Sequence, residues 1–200
     1  MTSSELYHCF GLEGYRTVCT DFVSGKIVLR VESSKAPRSS CCGSDSVICR
    51  GRFERRLKGL PIGMKQVEIL LCGQRVECLV CGQVRRMKVG FVESRKGYIK
   101  RLETYVLQLL RHATMKDVAL QVGLAWGTVK DIQKRHLTRR YRRPRLKGVR
   151  RIAIDEISIG KGHRYLTVVL NLDSGAVLFV GDGKGADPLK PFWKRVKRCK

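Results

Sequence analysis

Two short cysteine clusters have the composition of metal-binding turns. Cys78 and Cys81 are separated by two residues and precede Gly82, which is the C-x-x-C-G pattern of a zinc knuckle. Cys41 and Cys42, also followed by a glycine, lie about one hairpin earlier in the chain. Because thiolate sulfur is a preferred ligand of structural zinc, this spacing predicts a zinc site formed by these four cysteines.

The first cluster departs from the usual knuckle pattern. Ser39 stands where a C-x-x-C motif would have its first cysteine. Two adjacent cysteines cannot easily direct both sulfurs at one tetrahedral ion, so Cys42 is the better ligand of its pair. The fourth ligand is then Cys41 in a distorted geometry, Cys49, or none, and a metal-free hairpin is the alternative.

A carboxylate pair in the last quarter of the chain has the chemistry of a magnesium site. Asp155 and Glu156 occur in the strand-like stretch VRRIAIDEISI. Two-metal phosphoryl transfer needs carboxylates that converge from separate elements, whereas strand alternation sends these two to opposite faces. Asp173, Asp182 and Asp187 are predicted to lie on turns. Asp155 is therefore the single candidate for a catalytic Mg²⁺ ligand.

The middle of the chain predicts a helix-turn-helix. Apolar residues recur at three- and four-residue spacing between residues 98 and 112, which indicates one amphipathic helix. Thr114 and Asp117 then resemble a capping box, and Gly123 suits a tight turn between two further helices. The second of these would run from about Trp126 to Leu137, as the helix that enters a DNA groove.

Basic residues on and after this second helix are the candidate DNA contacts. Residues 134–151 carry ten Lys or Arg and no acidic residue. Such a run repels itself and needs a counter-charge, although a solvated surface segment is the alternative. The predicted DNA-contacting residues are Thr128, Lys130, Lys134, Arg135, Arg139, Arg140, Arg142, Arg143 and Arg145.

The whole-chain charge favours the same partner. The 200 residues carry 41 Lys and Arg against 17 Asp and Glu, a formal net charge of +24 at pH 7. A balance of this size favours a nucleic acid as the partner, with a membrane surface as the alternative, and the helix-turn-helix narrows the nucleic acid to double-stranded DNA. No apolar run approaches the roughly 20 residues of a membrane span, and no signal peptide is visible at the N-terminus. We therefore expect a cytoplasmic, nucleoid-associated protein with no membrane partner.

The order of these motifs resembles bacterial insertion-sequence transposases of the ISL-three family, which combine a zinc ribbon, a helix-turn-helix and a DDE catalytic domain. The likeness runs from about Cys41 to the last residue. It is carried by CCGS, CLVCG, LPIGMK, TMKDVALQVGLAWGTVKDIQKRH and, most specifically, IDEISIGKGHRYLTVV. The resemblance implies binding to the terminal inverted repeats of a mobile element, followed by Mg²⁺-dependent strand cleavage and transfer. It places the first catalytic aspartate at Asp155.

The predicted fold is α+β and multidomain. It comprises zinc ribbon-like β hairpins, a helical helix-turn-helix domain and the opening strands of an RNase H-like α/β catalytic domain. The predicted divisions are an N-terminal β-like segment (1–40), a zinc ribbon-like domain (41–90), a helix-turn-helix domain (91–137), a basic linker (138–148) and an incomplete DDE domain (149–200).

The resemblance also implies that the second and third catalytic carboxylates belong to elements absent from this sequence. On that interpretation the chain is truncated, binds DNA and is catalytically inactive. The alternatives are a sequence-specific DNA-binding regulator that competes with an intact transposase, and a non-specific nucleic-acid binder. A homodimer and the sequence of the target repeat are left open.

Overall fold

The computed structural model describes residues 1–93, 95–142, 144–160 and 162–198. These residues form an α+β structure divided into two units, Met1–Arg135 and His136–Lys200. The boundary falls within helix α4 (Trp126–Tyr141).

The first unit combines one sheet with a group of helices. Its elements are the short helix α1 (Ser3–Glu5), a π-helical turn (Leu6–Phe10), the strands β1 (Tyr15–Val23), β2 (Lys26–Ser33), β3 (Val47–Lys58), β4 (Val67–Cys78) and β5 (Val84–Arg86), the helices α2 (Lys100–Leu109) and α3 (Met115–Val122), and the start of α4.

The five strands of the first unit make one mixed sheet in the order β1-β2-β4-β3, with β5 also paired to β4. Strand β2 lies parallel to β4, whereas β3 and β5 are antiparallel to β4. Strands β2 and β4 each alternate apolar residues that are buried in a common core, as the pleat of a half-buried sheet requires. This sheet includes strands on both sides of the boundary predicted between residues 40 and 41.

Residues 97–99 join the helices to the sheet. The N–H of Lys58, at the end of β3, donates to the carbonyl of Gly97 at 2.8 Å, and the N–H of Ile99 donates to the carbonyl of Lys58 at 3.0 Å. Helix α2 starts directly after this contact, and its buried residues Leu102 and Val106 pack into the same core as the sheet. The helical part is thereby fixed on the sheet.

The predicted helix-turn-helix is confirmed in its local geometry. The hydroxyl of Thr114 accepts a hydrogen bond from the N–H of Asp117 and caps α3. Gly123 ends α3 with a φ of +65°, a left-handed conformation that glycine adopts without steric cost. Ala119 is buried, and Val129 and Ile132 of α4 reach the same core. Helix α4 runs about one turn further than the predicted end at Leu137.

The second unit is a smaller sheet covered by a helix. Its elements are the end of α4, the strands β6 (Ile152–Ser158), β7 (Tyr165–Asn171) and β8 (Val177–Asp182), a 3₁₀ turn (Asp187–Leu189) and helix α5 (Lys190–Lys197). The three strands are antiparallel in the order β6-β7-β8. Val169 and Leu178 of the sheet are buried together with Leu189 and Phe192, which come from the 3₁₀ turn and α5.

No helix in the described part of the chain has the length and apolar character needed to cross a bilayer.

Candidate metal centre and nucleic-acid interface

Two turns of the first unit have the same backbone geometry. In one, the N–H of Gly82 donates to the carbonyl of Cys78 at 2.8 Å; in the other, the N–H of Gly43 donates to the carbonyl of Ser39 at 3.1 Å. Both glycines have positive φ values, 65° and 79°. Ser39 therefore occupies in the first turn the position that Cys78 occupies in the second.

Three thiols converge where these turns meet. The sulfurs of Cys42, Cys78 and Cys81 all lie within 4.8 Å of one another, and the Cys42 and Cys78 sulfurs are 3.4 Å apart. Sulfurs bound to one tetrahedral zinc at about 2.3 Å stand roughly 3.8 Å from each other. The separations of the three thiols are therefore compatible with binding to one zinc ion.

The fourth predicted ligand, Cys41, is not among the three thiols that the structure brings together, and its role as a ligand stays a prediction. The sulfurs that converge are those of Cys42, Cys78 and Cys81, whereas Cys41 is exposed. Successive side chains of a turn diverge, which disfavours the binding of one ion by both Cys41 and Cys42. The other candidate, Cys49, lies on β3, and its thiol donates to the amide oxygen of Gln74 at 3.1 Å.

Ser39 lies beside the cluster of the three thiols, at the position where a fourth zinc ligand would be expected. It is 7% exposed, and its hydroxyl is close enough to Cys78 and Cys81 to favour the thiolate of each and so to lower its pKa. Its oxygen also accepts from the N–H of Cys41 at 3.3 Å. A small oxygen donor thus takes the place of the fourth sulfur.

The protein environment acts differently on two of the thiols. The backbone N–H of Cys81 is the main group that stabilises the Cys78 thiolate, and the hydroxyl of Ser39 adds to it, so the pKa of Cys78 falls from 9.0 to about 6. The N–H of Gln83 favours the Cys81 thiolate, but burial and the neighbouring thiols of Cys78 and Cys42 outweigh it and raise the pKa of Cys81. This environment therefore favours the thiolate form of Cys78, which is the form that binds a metal ion.

Helix α4 exposes one face that carries basic side chains. Lys130 and Lys134 are both exposed, and the Lys130 ammonium lies 5.2 Å from the centre of the Trp126 ring, one turn earlier. Val129 and Ile132, on the opposite face, are 0% and 1% exposed. Burial of one face therefore fixes which side of α4 is presented outward.

Thr128 and Arg135, two of the predicted DNA contacts, lie on the flank of α4 rather than on its outer face. Both line a pocket together with residues 95–98. The guanidinium of Arg135 donates to Glu103 at 2.7 Å and to the hydroxyl of Tyr98 at 2.8 Å. These contacts hold α4 against α2, so Arg135 has a partner within the protein.

The remaining predicted DNA contacts lie at the end of α4 and beyond it. Those within the described residues are all exposed, namely Arg139, Arg140, Arg142 and Arg145. Arg143 lies outside the described residues. The exposed residues are free of acidic neighbours in sequence, which leaves their charge available to phosphate.

Asp155 and Glu156 point to opposite faces of the second sheet, as their alternation predicts. Glu156 accepts a hydrogen bond from the N–H of Gly185 at 2.7 Å, on the side of the connection to α5. The carboxylate of Asp155 is exposed and accepts only a local bond, from the N–H of Glu156 at 2.8 Å. Asp155 is therefore open to a ligand, whereas Glu156 is engaged.

Asp182 is not on a turn, contrary to the sequence prediction, but is the last residue of β8. Its partner on β7 is Leu166, and the partner of Asp155 is Val168. Because those partners are two residues apart on one strand, both aspartates belong to the same face of the sheet. They are separated by two strand spacings, roughly 10 Å, which is too far to share one ion.

Three features of these sites are not evident from sequence spacing alone. They are the role of Ser39 as the counterpart of Cys78, the pairing of Arg135 with Glu103, and the position of Asp182 on a strand. The first has a signal in the sequence, since S-x-x-C-G repeats the pattern C-x-x-C-G with one substitution. The other two depend on contacts between distant parts of the chain.

A buried helix-turn-helix core with an outward basic helix defines the class of helix-turn-helix DNA-binding proteins. Comparison with known proteins narrows that class. Residues 87–137 match the helix-turn-helix domain of transposase family ISL3, and residues 152–200 match the transposase domain of the same family. The chain belongs to the ISL3 family of insertion-sequence transposases.

Curated relatives agree with this assignment. The chain is 30% identical over 158 residues to the transposase for insertion sequence element IS1001 of Bordetella parapertussis, over 78% of this chain and 39% of the relative. It is 30% identical over 172 residues to the transposase for IS1557 of Mycobacterium tuberculosis (strain CDC 1551 / Oshkosh), over 84% of this chain and 38% of the relative. The chain thus spans about two fifths of the length of these relatives. No solved structure gives a significant match.

Proposed function

We propose that this chain recognises the terminal inverted repeats of a bacterial insertion sequence through helix α4. The observation that carries the proposal is the outward face of α4. There Lys130 and Lys134 are exposed while Val129 and Ile132 anchor the opposite face in the core. A helix held in this way can lie in a major groove with its side chains at the base edges.

The basic residues that follow supply affinity without sequence preference. Arg139, Arg140, Arg142 and Arg145 are exposed, and the run from 134 to 151 has no acidic residue. Contacts to phosphate release bound counterions and fix the position of the protein on the duplex, whereas the base contacts of α4 decide the sequence. The site of action would be the nucleoid, in the cytoplasm.

A structural zinc ion would be held by Cys42, Cys78 and Cys81, with Ser39 at the fourth corner. The two matching turns and the β3–β4 hairpin between them have the order of a zinc ribbon. When bound, the ion would link the turn after Ser39 to the end of β4 and so stabilise the edge of the sheet. Zinc has no role in the chemistry of DNA strands in this proposal.

Asp155 is proposed as the first metal-binding carboxylate of the family's catalytic centre. An antiparallel β6-β7-β8 order with the aspartate on the first strand is the opening of an RNase H-like fold. Asp155 would supply one carboxylate ligand to the family's magnesium ions, whose chemistry when bound is to stabilise the charge on the reacting oxygens of a DNA strand. Among the described residues, no group of three or more metal-ligating side chains includes Asp155, and Glu156 points to the opposite face. We therefore expect no strand cleavage by this chain alone.

The test is binding of the full chain to a duplex from the element's terminal repeat and to a scrambled duplex, each across a range of salt concentrations. We expect tighter binding to the repeat, lowered about tenfold or more by Lys130→Ala or Lys134→Ala. The matched control is Lys116→Ala on α3. Equal affinity for both duplexes, with a steep salt dependence, would contradict sequence recognition and identify a non-specific binder.

The same reactions with Mg²⁺ present test the catalytic part of the proposal. We expect intact strands with the unmodified chain and with Asp155→Ala. Cleavage by the unmodified chain that is lost in Asp155→Ala would show that a complete catalytic site is assembled. With binding but no cleavage, the chain would occupy repeats and compete with an intact transposase, which is the regulatory role.

A further inference from the structure

Neither the backbone conformation nor the packing of the described residues explains why residue 127 is a glycine. It is the second residue of α4, it is exposed, and its φ is not in the left-handed region. Apart from its chain neighbours and the backbone of its own helix, a Cβ built on it would meet no atom of the described residues within 4 Å. Glycine destabilises a helix relative to alanine because it loses more backbone entropy on folding. Neither the turn nor the packing requires it here.

The residue before it is an exposed tryptophan. Trp126 is 51% exposed at the start of α4, and its ring is covered on one side by the Lys130 ammonium at 5.2 Å. A large apolar ring held beside a cation is suited to a partner with apolar groups set among negative charge. In the major groove of DNA, the 5-methyl group of thymine is that apolar group.

These residues lie along one stripe of the helix. Gly127, Lys130 and Lys134 have the spacing i, i+3 and i+7, which places them on one face, and Trp126 stands one turn before Lys130. The same stripe faces away from the buried residues Val129 and Ile132. The surface it forms is therefore apolar and open at the start of α4 and basic further along.

We infer that Trp126 and Gly127 are the specificity-determining residues of this interface. Trp126 packs on the 5-methyl group of a thymine, and Gly127 lets the first turn of α4 approach the floor of the groove. This inference rests on the proposed DNA-binding function and deepens it. It moves the base-reading contacts to the first turn of α4, whereas Thr128 and Arg135 support the helix from its flank.

The probe is a duplex selected from a randomised library by the full, unmodified chain. On that duplex, each thymine is replaced in turn by deoxyuridine, which lacks only the methyl group. We expect one replacement to weaken binding of the unmodified chain by about fourfold, the value of one buried methyl group. The same replacement should have no effect on Trp126→Ala. A Trp126→Ala variant that remains sensitive to the same methyl group would overturn the assignment of Trp126.

Gly127→Ala gives a readout in which stability and binding change in opposite directions. We expect its Tm to rise by about 2 °C because alanine favours the helix. Its affinity for the selected duplex should fall by about tenfold, with affinity for a scrambled duplex unchanged. Thr104→Ala on the exposed side of α2 is the control, since it also replaces a weak helix former but should leave DNA binding unchanged.

The outcomes separate the inference from the function on which it rests. If Gly127→Ala binds the selected duplex as tightly as the unmodified chain, close approach at Gly127 is wrong while DNA recognition stands. If selection enriches no sequence and Lys130→Ala changes nothing, sequence recognition by α4 fails, and the inference fails with it.

Discussion

The turns that begin at Ser39 and Cys78 have the same backbone hydrogen bond and differ at their first residue by an oxygen in place of a sulfur. Ser39 and Cys78 accept equivalent hydrogen bonds from Gly43 and Gly82, but the first offers a hydroxyl where the second offers a thiol. A neutral hydroxyl is a weaker zinc ligand than a thiolate, and structural zinc sites usually have four protein ligands. The cluster of Cys42, Cys78 and Cys81 should therefore bind zinc through three strong thiolate ligands. The fourth coordination position should be exchangeable.

Restoring the missing sulfur should complete the site. We expect Ser39→Cys to tighten zinc binding by more than about tenfold, since even outer-shell partners change metal affinity by about 10- to 100-fold. With Co²⁺ as a spectroscopic probe, the thiolate-to-metal charge-transfer absorption should grow from that of three thiolates to that of four. The measurement is a chelator competition for zinc, together with the Co²⁺ spectrum of each variant.

Two control variants distinguish a site of three thiols from the site of four cysteines, including Cys41, that the sequence predicted. Cys41→Ser should leave the Co²⁺ spectrum unchanged because its sulfur lies outside the group. Cys81→Ser should remove one thiolate from it. Loss of a thiolate band in Cys41→Ser would mean that Cys41 is a ligand and that the backbone rearranges around the ion.

The cysteine spacing could predict the metal centre only in part. C-x-x-C-G indicates a knuckle because the tight turn is a local property of those residues. Which sulfur of Cys41 and Cys42 turns inward depends on the hydrogen bonds of the first turn and on its contact with the end of β4, where the N–H of Leu79 donates to the carbonyl of Ser46. Sequence spacing does not carry such contacts.

At the scale of the element, the sequence likewise predicted some features of α4 but not others. Its apolar periodicity predicted the helix and its buried residues Val129 and Ile132, because periodicity is local. The flank occupied by Arg135 depends on Glu103 and Tyr98, which are 32 and 37 residues away in sequence. The sequence could therefore not show that Arg135 pairs with Glu103 within the protein, and its contact with DNA stays a prediction.

Strand β4 contains a carboxylate that is surrounded by cations. Glu68 is 17% exposed in its side chain and lies 3.2 Å from the ammonium of Lys26, 3.3 Å from that of Lys58 and 3.7 Å from the guanidinium of Arg56. The hydrogen bond from Lys26, with that from Lys58, outweighs the effect of burial and lowers the pKa of Glu68. In a chain with a net charge of +24, this carboxylate reduces repulsion across three strands.

Glu68→Gln should therefore destabilise the first unit in a pH-dependent way. A carboxylate whose pKa is lower in the folded state contributes stability above its unfolded pKa of about 4.3 and loses it as the pH falls through the folded pKa. We expect a loss of about 1 kcal/mol at pH 7 that shrinks toward zero near pH 3. Urea unfolding of both proteins at a series of pH values measures it.

The comparison is Glu54→Gln on β3, whose side chain is 59% exposed and pairs with Arg30 at 3.0 Å. Its effect at pH 7 should be smaller because water screens an exposed pair. A Glu68→Gln difference that stays constant between pH 7 and pH 3 would mean that the side chain acts by packing rather than by charge.

At the scale of the whole molecule, positive charge is densest along the sequence around the boundary between the two units. Each unit has its own buried core, and the boundary lies at residues 135 and 136, inside the basic run of residues 134–151. Composition predicted this segment as a linker because ten like charges cannot pack together. The apolar residues within it, Leu146 and Val149, pack against the core of the second unit.

Trypsin, which cuts after Lys and Arg, should therefore report directly on this junction. We expect the free chain to be cut first after the exposed residues Arg142, Arg145 and Lys147, because that segment is basic and lies between two cores that resist the protease. Adding duplex DNA at low salt should slow these cuts about tenfold or more if arginine contacts phosphate there, and raising the salt should restore them as counterions compete. Mass spectrometry of the early fragments identifies the sites, and cleavage of a small peptide substrate in the same mixture serves as the reference for protease activity. Unchanged cutting at 142–147 in the presence of saturating DNA would show that the basic run does not follow the phosphate backbone, and binding would then rest on helix α4 alone.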